Sequence, residues 1–360
     1  MPLFVKLLLY YLGTMGFTLL LVYLLLGFAK SLGIRSKNDV SVRWSNTSKP
    51  SLGGIAIFIS VFMAIVIYLI SHPTQNVFGN QRFLSFFMGI SLAFMMGLAD
   101  DAFNTKPLIK LVTQVICGLS VISGDLIIPA TGNYWIDATL TTIWVVGLMN
   151  SLNMLDNMDG ITASVSISIL LMLLAFGSFF IPISIDIHTF IMIGLVGSLS
   201  GFLIVNAPPS KLFMGDSGSQ IIGYTISFYS IYYLWNSEQS HAPFEITFYV
   251  ALLILAIPFI DTFTVSFNRL KQGKSPAKGG KDHTTHHMVY RGLTELQTFI
   301  FFTISSLVLG ACGLLVFYLY YIGLNYFSLL PLLLFFPVFY FLFKNTHDFK
   351  APQNIKSHLD

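Results

Sequence analysis

The sequence predicts an all-α protein that crosses a membrane many times, and both its composition and its apolar stretches indicate this. Charged residues make up 10% of the 360 residues and hydrophobic residues make up 55%, whereas a soluble domain carries about 25% charged residues. A water-soluble fold of this composition would have too few polar side chains for its surface. The bilayer must therefore be the solvent, and we expect one integral membrane domain over residues 1–360.

Eleven stretches are predicted to be membrane helices, because each approaches the ~20 mostly apolar residues that a spanning helix needs. The fourth and fifth are the weakest, since Lys110, Gln114 and Asp137 interrupt them. Cys117 and Cys312 lie inside apolar stretches, which favours small apolar side chains over a disulfide or a thiolate metal site. In order, the stretches cover roughly residues 3–28, 52–71, 83–99, 108–128, 136–150, 161–182, 188–206, 219–235, 244–267, 297–320 and 324–343.

The basic residues predict the orientation. When the loops are numbered alternately, all 19 lysines and arginines except Lys6 and Arg82 fall on one side. Basic loops stay in the cytoplasm, so we expect the amino terminus outside and the carboxyl terminus inside. Because like charges repel, several carboxylates at one membrane face indicate a cation between them. The acidic residues that fall near helix ends on the cytoplasmic side are Asp100, Asp101, Asp156, Asp159, Asp216 and Asp282.

The third stretch is followed by the pair Asp100–Asp101, with Lys106 and Lys110 beyond it. Adjacent carboxylates offer two hard oxygen ligands, or one ligand beside one base, which makes the pair a candidate for phosphate chemistry. An acidic pair at this place can also simply end a helix at the water interface, and that interpretation stays open.

Residues 150–160 form a second polar motif. If this segment is helical, Asn150, Asn153 and Asp156 share one face, and Asp159 continues the same step of three. Asn and Asp also favour helix ends. A cap needs only one such residue, however, so the segment is predicted to contribute to a site.

Residues 206–219 combine glycines with a carboxylate just before the eighth stretch. Gly215 and Gly218 would let the backbone approach a ligand closely, and Asp216 lies where helix N–H groups favour phosphate. A carboxylate there would repel phosphate unless a divalent ion bridges them. Mg²⁺ fits because it takes few protein ligands and binds substrate phosphates, with Mn²⁺ as the alternative. Phe213 is a candidate to stack on a base, although an aromatic at a membrane interface is usually an anchor.

Residues 279–294 bring His283, His286 and His287 into the longest cytoplasmic loop. Zinc is disfavoured because neither an H-E-x-x-H motif nor a Cys partner is near. Lys281 and Arg291, on either side of the histidines, fit a phosphate-binding surface better, and a basic loop held by anionic lipid is the alternative. Asp261 lies inside the ninth stretch; an intramembrane carboxylate is usually functional, but it can also bond a neighbouring helix.

The four motifs in this order, together with eleven spans, resemble the bacterial polyprenyl-phosphate N-acetylhexosamine-1-phosphate transferases. The resemblance covers about residues 35–300 and rests on the quoted aspartate pair and on segments 153–160, 206–219 and 282–286. It implies transfer of a sugar phosphate, GlcNAc 1-phosphate by default, from a UDP-N-acetylhexosamine to undecaprenyl phosphate. UMP would be released, and cell-envelope polysaccharide synthesis would begin.

The resemblance also implies roles for individual residues. Asp216 and Asp156 would be Mg²⁺ ligands, and Asp100, Asp101 and Asp156 would be catalytic carboxylates. The expected active-site loops are 30–51, 100–107, 151–160, 207–218 and 268–296, on the cytoplasmic side of a bacterial plasma membrane. A homodimer stays open, and no nucleic-acid partner is expected. The predicted substrate-binding residues are Lys49, Lys110, Asn150, Asn153, Asp159, Asn206, Phe213, His283, His286, His287 and Arg291.

The chain departs from relatives of this family at two places. Many carry Arg-Lys-x-His before the second span, whereas here Arg43 is followed by Trp-Ser-Asn, and Arg43 with Lys49 would have to substitute. The histidine loop lacks the three consecutive histidines of the phospho-N-acetylmuramoyl-pentapeptide transferases, which favours a simpler UDP-sugar over that alternative. A transporter or flippase is the alternative of another class, but its polar residues would lie in broken helices at the bilayer midplane.

Overall fold

The protein is built from α-helices, as the sequence predicts. The computed structural model describes residues 2–31, 49–180, 186–236, 242–276 and 279–350. Within these ranges the one β-type pairing is an isolated parallel bridge between Ser51 and Phe213. The predicted all-α class is therefore confirmed.

Thirteen helices follow one another along the described chain. The first eight predicted stretches correspond to the first eight helices, and the tenth corresponds to the twelfth helix. The helices are α1 (Leu3–Ser31), α2 (Gly53–Ser71), α3 (Gln81–Phe103), α4 (Pro107–Ser123), α5 (Tyr134–Leu155), α6 (Ile161–Phe180), α7 (Ile187–Asn206), α8 (Gly215–Trp235), α9 (Phe244–Ile254), α10 (Ala256–Lys271), α11 (Thr284–Tyr290), α12 (Glu295–Tyr321) and α13 (Phe335–Asp348).

Seven helices of the described chain, α1, α2, α3, α5, α6, α7 and α12, are each long and apolar enough to cross a membrane. The count becomes eight if α9 and α10 are taken together as one span. α4 is shorter, with 17 residues, and the last predicted stretch contains the 3₁₀ segment Leu330–Leu334 before α13. A multi-pass membrane protein is thus supported, while the count of eleven spans and the orientation of the termini stay predictions.

The ninth predicted stretch is not one straight helix. It is broken at Leu255 into α9 and α10, whose axes differ by 78°. Pro258 explains the position of the break, because it lacks an N–H and its ring clashes with the carbonyl four residues earlier, that of Ile254. The bend turns the α10 segment, which carries Asp261 and Arg269, away from the direction of α9.

α8 lies at the centre of the bundle and is buried on nearly every face, packed against α2, α3, α5 and α6. Two glycines permit this packing at its amino end. A Cβ on Gly97 of α3 would lie 2.4 Å from Cα of Ser217, and a Cβ on Gly54 of α2 would lie 2.2 Å from N of Gly218. The carboxyl end of α3 and the amino ends of α2 and α8 therefore meet at one end of the bundle.

Candidate active site

Asp101 holds the amino end of α8. Its Oδ1 accepts a hydrogen bond from N–H of Asp216 at 2.9 Å, and its Oδ2 accepts one from N–H of Ser217 at 3.0 Å. The first N–H groups of a helix have no partner within the helix and favour negative charge. Gly215, at φ 77°, starts the turn, and a Cβ there would lie 2.8 Å from the Asp101 carboxylate. A side chain of α3 thus caps α8.

Asp100 is the more enclosed member of the pair, with 3% of its side chain exposed. N–H and Oγ1 of Thr105 donate to its Oδ1 at 2.8 and 2.9 Å. Its Oδ2 forms an ion pair with Nζ of Lys110. Asn104, in the left-handed region at φ 48°, ends α3 and turns the chain back so that Thr105 can reach the carboxylate. Both oxygens of Asp100 are therefore engaged.

Asp216 is more accessible than Asp100, with 38% of its side chain exposed. Nδ2 of Asn153 donates to its Oδ1 at 2.7 Å and also to Oγ of Ser219 at 2.9 Å. Nζ of Lys110 lies 3.9 Å from its Oδ2. Lys110 therefore stands between the carboxylates of Asp100 and Asp216 and offsets their repulsion. We call Asp100, Asp101, Lys110, Asn153 and Asp216 the acidic cluster.

A layer of amides connects the helices that carry the acidic cluster. Gln114 of α4 and Asn150 of α5 exchange hydrogen bonds, with Nδ2 of Asn150 donating to Oε1 at 2.9 Å and Nε2 of Gln114 donating to Oδ1 at 3.2 Å. Nε2 of Gln114 also lies 3.2 Å from Oε1 of the buried Gln220 in α8. Gln114 is 1% exposed, so the predicted substrate residue Asn150 is oriented by a buried partner.

The predicted residues Lys49 and Asp159 form a clamp with Ser210. Nζ of Lys49 donates to Oδ2 of Asp159 at 3.0 Å and to Oγ of Ser210 at 2.9 Å, and N–H of Ser210 donates to the same carboxylate oxygen at 2.9 Å. The ammonium group of Lys49 also lies 5.1 Å from the ring centre of Phe213. This clamp, together with the bridge from Ser51 to Phe213, fixes the segment between α7 and α8.

Asn206 supports the same segment from inside. Its side chain, in a residue only 4% exposed, donates to the carbonyl of Leu212 at 2.8 Å and accepts from N–H of Gly160 at 3.0 Å. The residue therefore connects the end of α7 to the loops on both sides of it, and its amide holds backbone.

The third region is α11, which we call the histidine helix. Asp261 of α10 caps it: Oδ1 accepts from N–H of Thr284 at 2.9 Å and from its Oγ1 at 2.6 Å, and Oδ2 lies 2.9 Å from Nδ1 of His283. Oγ1 of Thr285 donates to Oδ1 of Asn157, which connects the helix to the second polar motif. The intramembrane carboxylate thus bonds a neighbouring element, which is the simpler of its two predicted roles.

The pKa values of His286 and Asp282, in the region of the histidine helix, are shifted by burial and by a neighbouring charge. Burial lowers the pKa of His286 to about 3, so the ring is neutral near pH 7. Its Nδ1 accepts from N–H of His283 at 3.3 Å, which places the proton on Nε2. Burial alone would raise the pKa of Asp282, but the guanidinium of Arg269, at 2.7 and 2.8 Å, holds that pKa below its usual range.

Two predicted substrate residues face the last helix. Nδ1 of His287 contacts the carbonyl oxygen of Phe349. The guanidinium of Arg291 lies 4.9 Å from the ring centre of Phe341 and 5.5 Å from that of Phe349. Their roles in substrate binding stay predictions, because both side chains contact residues of the protein itself.

The structure brings together residues from most of the predicted loops. Asp156 follows α5 one turn beyond Asn153 and is half-buried. Arg43, most of loop 30–51, and residues 277 and 278 of loop 268–296 lie outside the described residues.

Sequence reasoning missed the polar partners that hold the site, because single Ser, Thr and Gln residues in apolar or loop sequence do not show which group they bond. They are Thr105, Gln114, Ser210, Ser217, Ser219 and Gln220.

The donor set suits a hard divalent cation. Asp216 presents a partly exposed carboxylate whose Oδ2 has its lysine neighbour at 3.9 Å rather than in close contact. Within the described residues, no three His, Cys, Asp or Glu side chains are grouped as metal ligands. Mg²⁺ commonly takes one or two carboxylates and completes its shell with water and phosphate. The assignment of Asp216 and Asp156 as its ligands stays a prediction.

Comparisons with known proteins point in one direction. Residues 83–234, from α3 to α8, match the family model "Glycosyl transferase family 4". A Bacillus subtilis protein named probable undecaprenyl-phosphate N-acetylglucosaminyl 1-phosphate transferase is 27% identical over 72% of this chain and 73% of its own length. Proteins named undecaprenyl-phosphate alpha-N-acetylglucosaminyl 1-phosphate transferase match from Escherichia coli K12, 26% identical over 85% of this chain and 83% of that protein, and from Thermotoga maritima, 27% identical over 80% and 83%. The chain thus resembles glycosyl transferase family 4 over residues 83–234, and it resembles proteins named as undecaprenyl-phosphate N-acetylglucosaminyl 1-phosphate transferases over most of its length.

Proposed function

We propose that this protein transfers N-acetylglucosamine 1-phosphate from UDP-N-acetylglucosamine to undecaprenyl phosphate and releases UMP. The observation that carries the proposal is the acidic cluster, in which Asp100 of α3 and Asp216 of α8 share Lys110, and Asn153 orients Asp216, within the segment matched by the family. The names of the relatives support the sugar and the lipid. The basic residues support a cytoplasmic site at a bacterial plasma membrane.

Mg²⁺ belongs to this proposal, with Asp216 and Asp156 as the residues that would hold it. When bound, the ion would neutralise the diphosphate and stabilise the charge that develops on the departing UMP. Asp216 suits this role because 38% of its side chain is exposed and its Oδ2 has its nearest cation 3.9 Å away. Its Oδ1 is oriented by the amide of Asn153, so a ligand oxygen would be positioned in advance of substrate.

The proposed reaction is a direct displacement at the phosphorus next to the sugar. An oxygen of the lipid phosphate forms the new P–O bond, and the bond from that phosphorus to the oxygen of UMP breaks. The lipid phosphate needs little activation, because the second pKa of a phosphate monoester is about 6. The environment of the aspartate pair supports this view: both oxygens of Asp100 and both of Asp101 already accept hydrogen bonds or an ion pair, which makes each a poor base and a poor nucleophile.

Within this proposal, Asp100 and Asp101 position other groups: the ammonium group of Lys110 and the backbone at the start of α8. Asp100 positions the ammonium group of Lys110, which would face the transferred phosphate and offset its charge. Asp101 fixes the start of α8 and with it Asp216. A phosphorylated aspartate trapped at position 100 or 156 in rapid-quench experiments would contradict direct displacement.

The clamp and the adjoining loop form the proposed nucleotide site. Phe213 would stack on the uracil ring, because its backbone is held by residues 50–53 and its ring lies beside Lys49. Asp159 and Asn206 would act mainly by shaping this segment, since their polar atoms bond Ser210, Lys49, Gly160 and Leu212.

The test is UMP release by the full chain in lipid nanodiscs. We expect release with UDP-N-acetylglucosamine only when undecaprenyl phosphate and Mg²⁺ are both present, and less with UDP-N-acetylgalactosamine or UDP-N-acetylmuramoyl-pentapeptide. Asp216→Asn keeps the shape of the side chain, inserts into membranes and should lower the rate at least ~100-fold. Asp125→Asn, the same change at an exposed carboxylate that follows the other end of α4, is the matched control. Release that is independent of the lipid, or unchanged in Asp216→Asn, would overturn the proposal.

A further inference from the structure

We propose that His287 and Arg291 are positioning residues that dock the end of α13 onto the histidine helix, and that this docking sets the affinity for the UDP-sugar. The inference rests on the proposed function, because the resemblance assigns both residues to substrate binding. Their contacts point elsewhere. His287 bonds the carbonyl of Phe349, and Arg291 stacks on Phe341 and Phe349.

The histidine helix needs external support because it has only seven residues. Helices shorter than about 12 residues are marginal in water without tertiary contacts. Asp261 supports its first turn, through N–H of Thr284 and Nδ1 of His283. The contacts of His287 and Arg291 with α13 and Phe349 support its last turn.

Arg291 is suited to docking by stacking. Its residue is exposed, yet its planar guanidinium lies about 5 Å from two aromatic ring centres, at 4.9 and 5.5 Å. A guanidinium stacks on aromatic faces, and a compact ammonium group does so less well. Because Phe341 lies within α13 and Phe349 follows its end, one side chain holds two points of the same element.

α13 also contacts α10, so that α10, α13 and the histidine helix each contact the other two. Nδ2 of Asn268 in α10 donates to Oγ1 of Thr346 at 2.9 Å, and Leu342 and Thr346 are buried. α10 therefore holds the start of the histidine helix through Asp261 and holds α13 through Asn268. Phe341 of α13 and Phe349, which follows it, contact His287 and Arg291 at the end of the histidine helix. Without the contacts of His287 and Arg291 with Phe341 and Phe349, the short helix keeps its first-turn contacts and, in its last turn, the hydrogen bond from the hydroxyl of Tyr290 to the carbonyl of Lys281.

A pair of truncations tests this docking. A chain ending after Asp348 lacks Phe349, whereas a chain ending after Lys350 keeps it and is the matched control. We expect the shorter chain to show faster amide hydrogen exchange over residues 284–290 and a KM for UDP-N-acetylglucosamine raised about fivefold, with kcat changed less than twofold. The control should match the full chain in both measurements.

Side-chain variants separate docking from substrate contact. Arg291→Ala and Phe349→Leu should show the same raised KM and faster exchange as the chain that ends after Asp348. Arg291→Lys should resemble Arg291→Ala in both measurements. Phe349→Tyr should resemble the full chain in both. Tyr340→Leu is the control, because Tyr340 of α13 is 62% exposed. If Arg291→Ala lowers kcat while exchange over 284–290 stays as in the full chain, Arg291 contacts substrate and the inference is wrong. The exchange measurement needs no substrate, so it succeeds or fails independently of the proposed reaction.

Discussion

The acidic cluster and the histidine helix lie at the same end of the bundle, but they are held in different ways. The cluster draws its carboxylates from the ends of long helices, and each is fixed by groups of a neighbouring helix, as Asp101 is by the start of α8. The histidine helix is a short element attached at its two ends. The comparison shows that the carboxylates of the acidic cluster are fixed between long helices, while the position of the histidine helix depends on a few side-chain contacts.

Of the changes that test this comparison, removal of the cap on α8 has the largest expected effect. Asp101→Ala leaves N–H of Asp216 and of Ser217 without their acceptor, which should cost about 1–2 kcal/mol of folding stability. A shift of Asp216 by about 1 Å should also lower kcat by up to ~100-fold. Both are measured on purified protein, by thermal unfolding and by UMP release.

Asp186 supplies the control for this effect. It caps α7 at the opposite end of the bundle, where its oxygens accept from N–H and Oγ1 of Thr189 at 2.8 and 3.2 Å. Asp186→Ala should lower stability by a similar amount and leave kcat as it was. Equal losses of kcat in the two variants would mean that Asp101 acts through stability alone.

A smaller effect is expected at the histidine helix. Asp261→Asn removes the charge opposite His283 but keeps an acceptor for Thr284, and a charge-assisted hydrogen bond contributes about 1.5–3 kcal/mol. We expect KM for the UDP-sugar to rise about tenfold and kcat to change less, measured from initial rates. Asp137→Asn, which alters a carboxylate bonded to Thr131 and Gly132, should leave KM unchanged; a tenfold rise there too would contradict a local role for Asp261.

The smallest effect concerns pH. Because Arg269 holds the pKa of Asp282 below its unfolded value, this pair stabilises the folded loop above about pH 4, and the contribution is lost as pH falls through the folded pKa. The side chain of Asp282 is 40% exposed, so solvent screening limits the effect to roughly 1 kcal/mol or less. Proteolysis of the loop between pH 5 and pH 2 should accelerate more in the unaltered chain than in Asp282→Asn. Parallel curves for the two proteins would show that the ion pair contributes nothing.

The sequence predicted the class of fold and the convergence of Asp100, Asp101 and Asp216, because apolar stretches fix where helix ends reach water. It also placed most helix bounds within a few residues. It did not predict the break at Leu255, although Pro258 was visible, since a proline near a helix end is compatible with a straight helix as well.

The partners of individual side chains were less predictable. That Asp101 would reach the backbone of α8 depends on how closely α3 approaches it, which Gly97 permits but does not require. Asn206 and Asp159 read as ligands in the sequence, yet they bond backbone and lysine. Nothing local distinguishes an amide that holds a loop from one that holds a nucleotide. The contacts of Arg291 depend on Phe349, 58 positions along the chain, and no local pattern encodes them.

The cap on α8 has a consequence for how anions are recognised here. The amino end of a helix is a favourable binding site for phosphate. At the amino end of α8, however, two N–H groups already donate to the carboxylate of Asp101. A substrate phosphate could accept hydrogen bonds from these two N–H groups only if it displaced the carboxylate of Asp101. In the proposed reaction, recognition of the diphosphate would therefore fall to Lys110 and to a bound cation, while these two N–H groups hold α8 to α3.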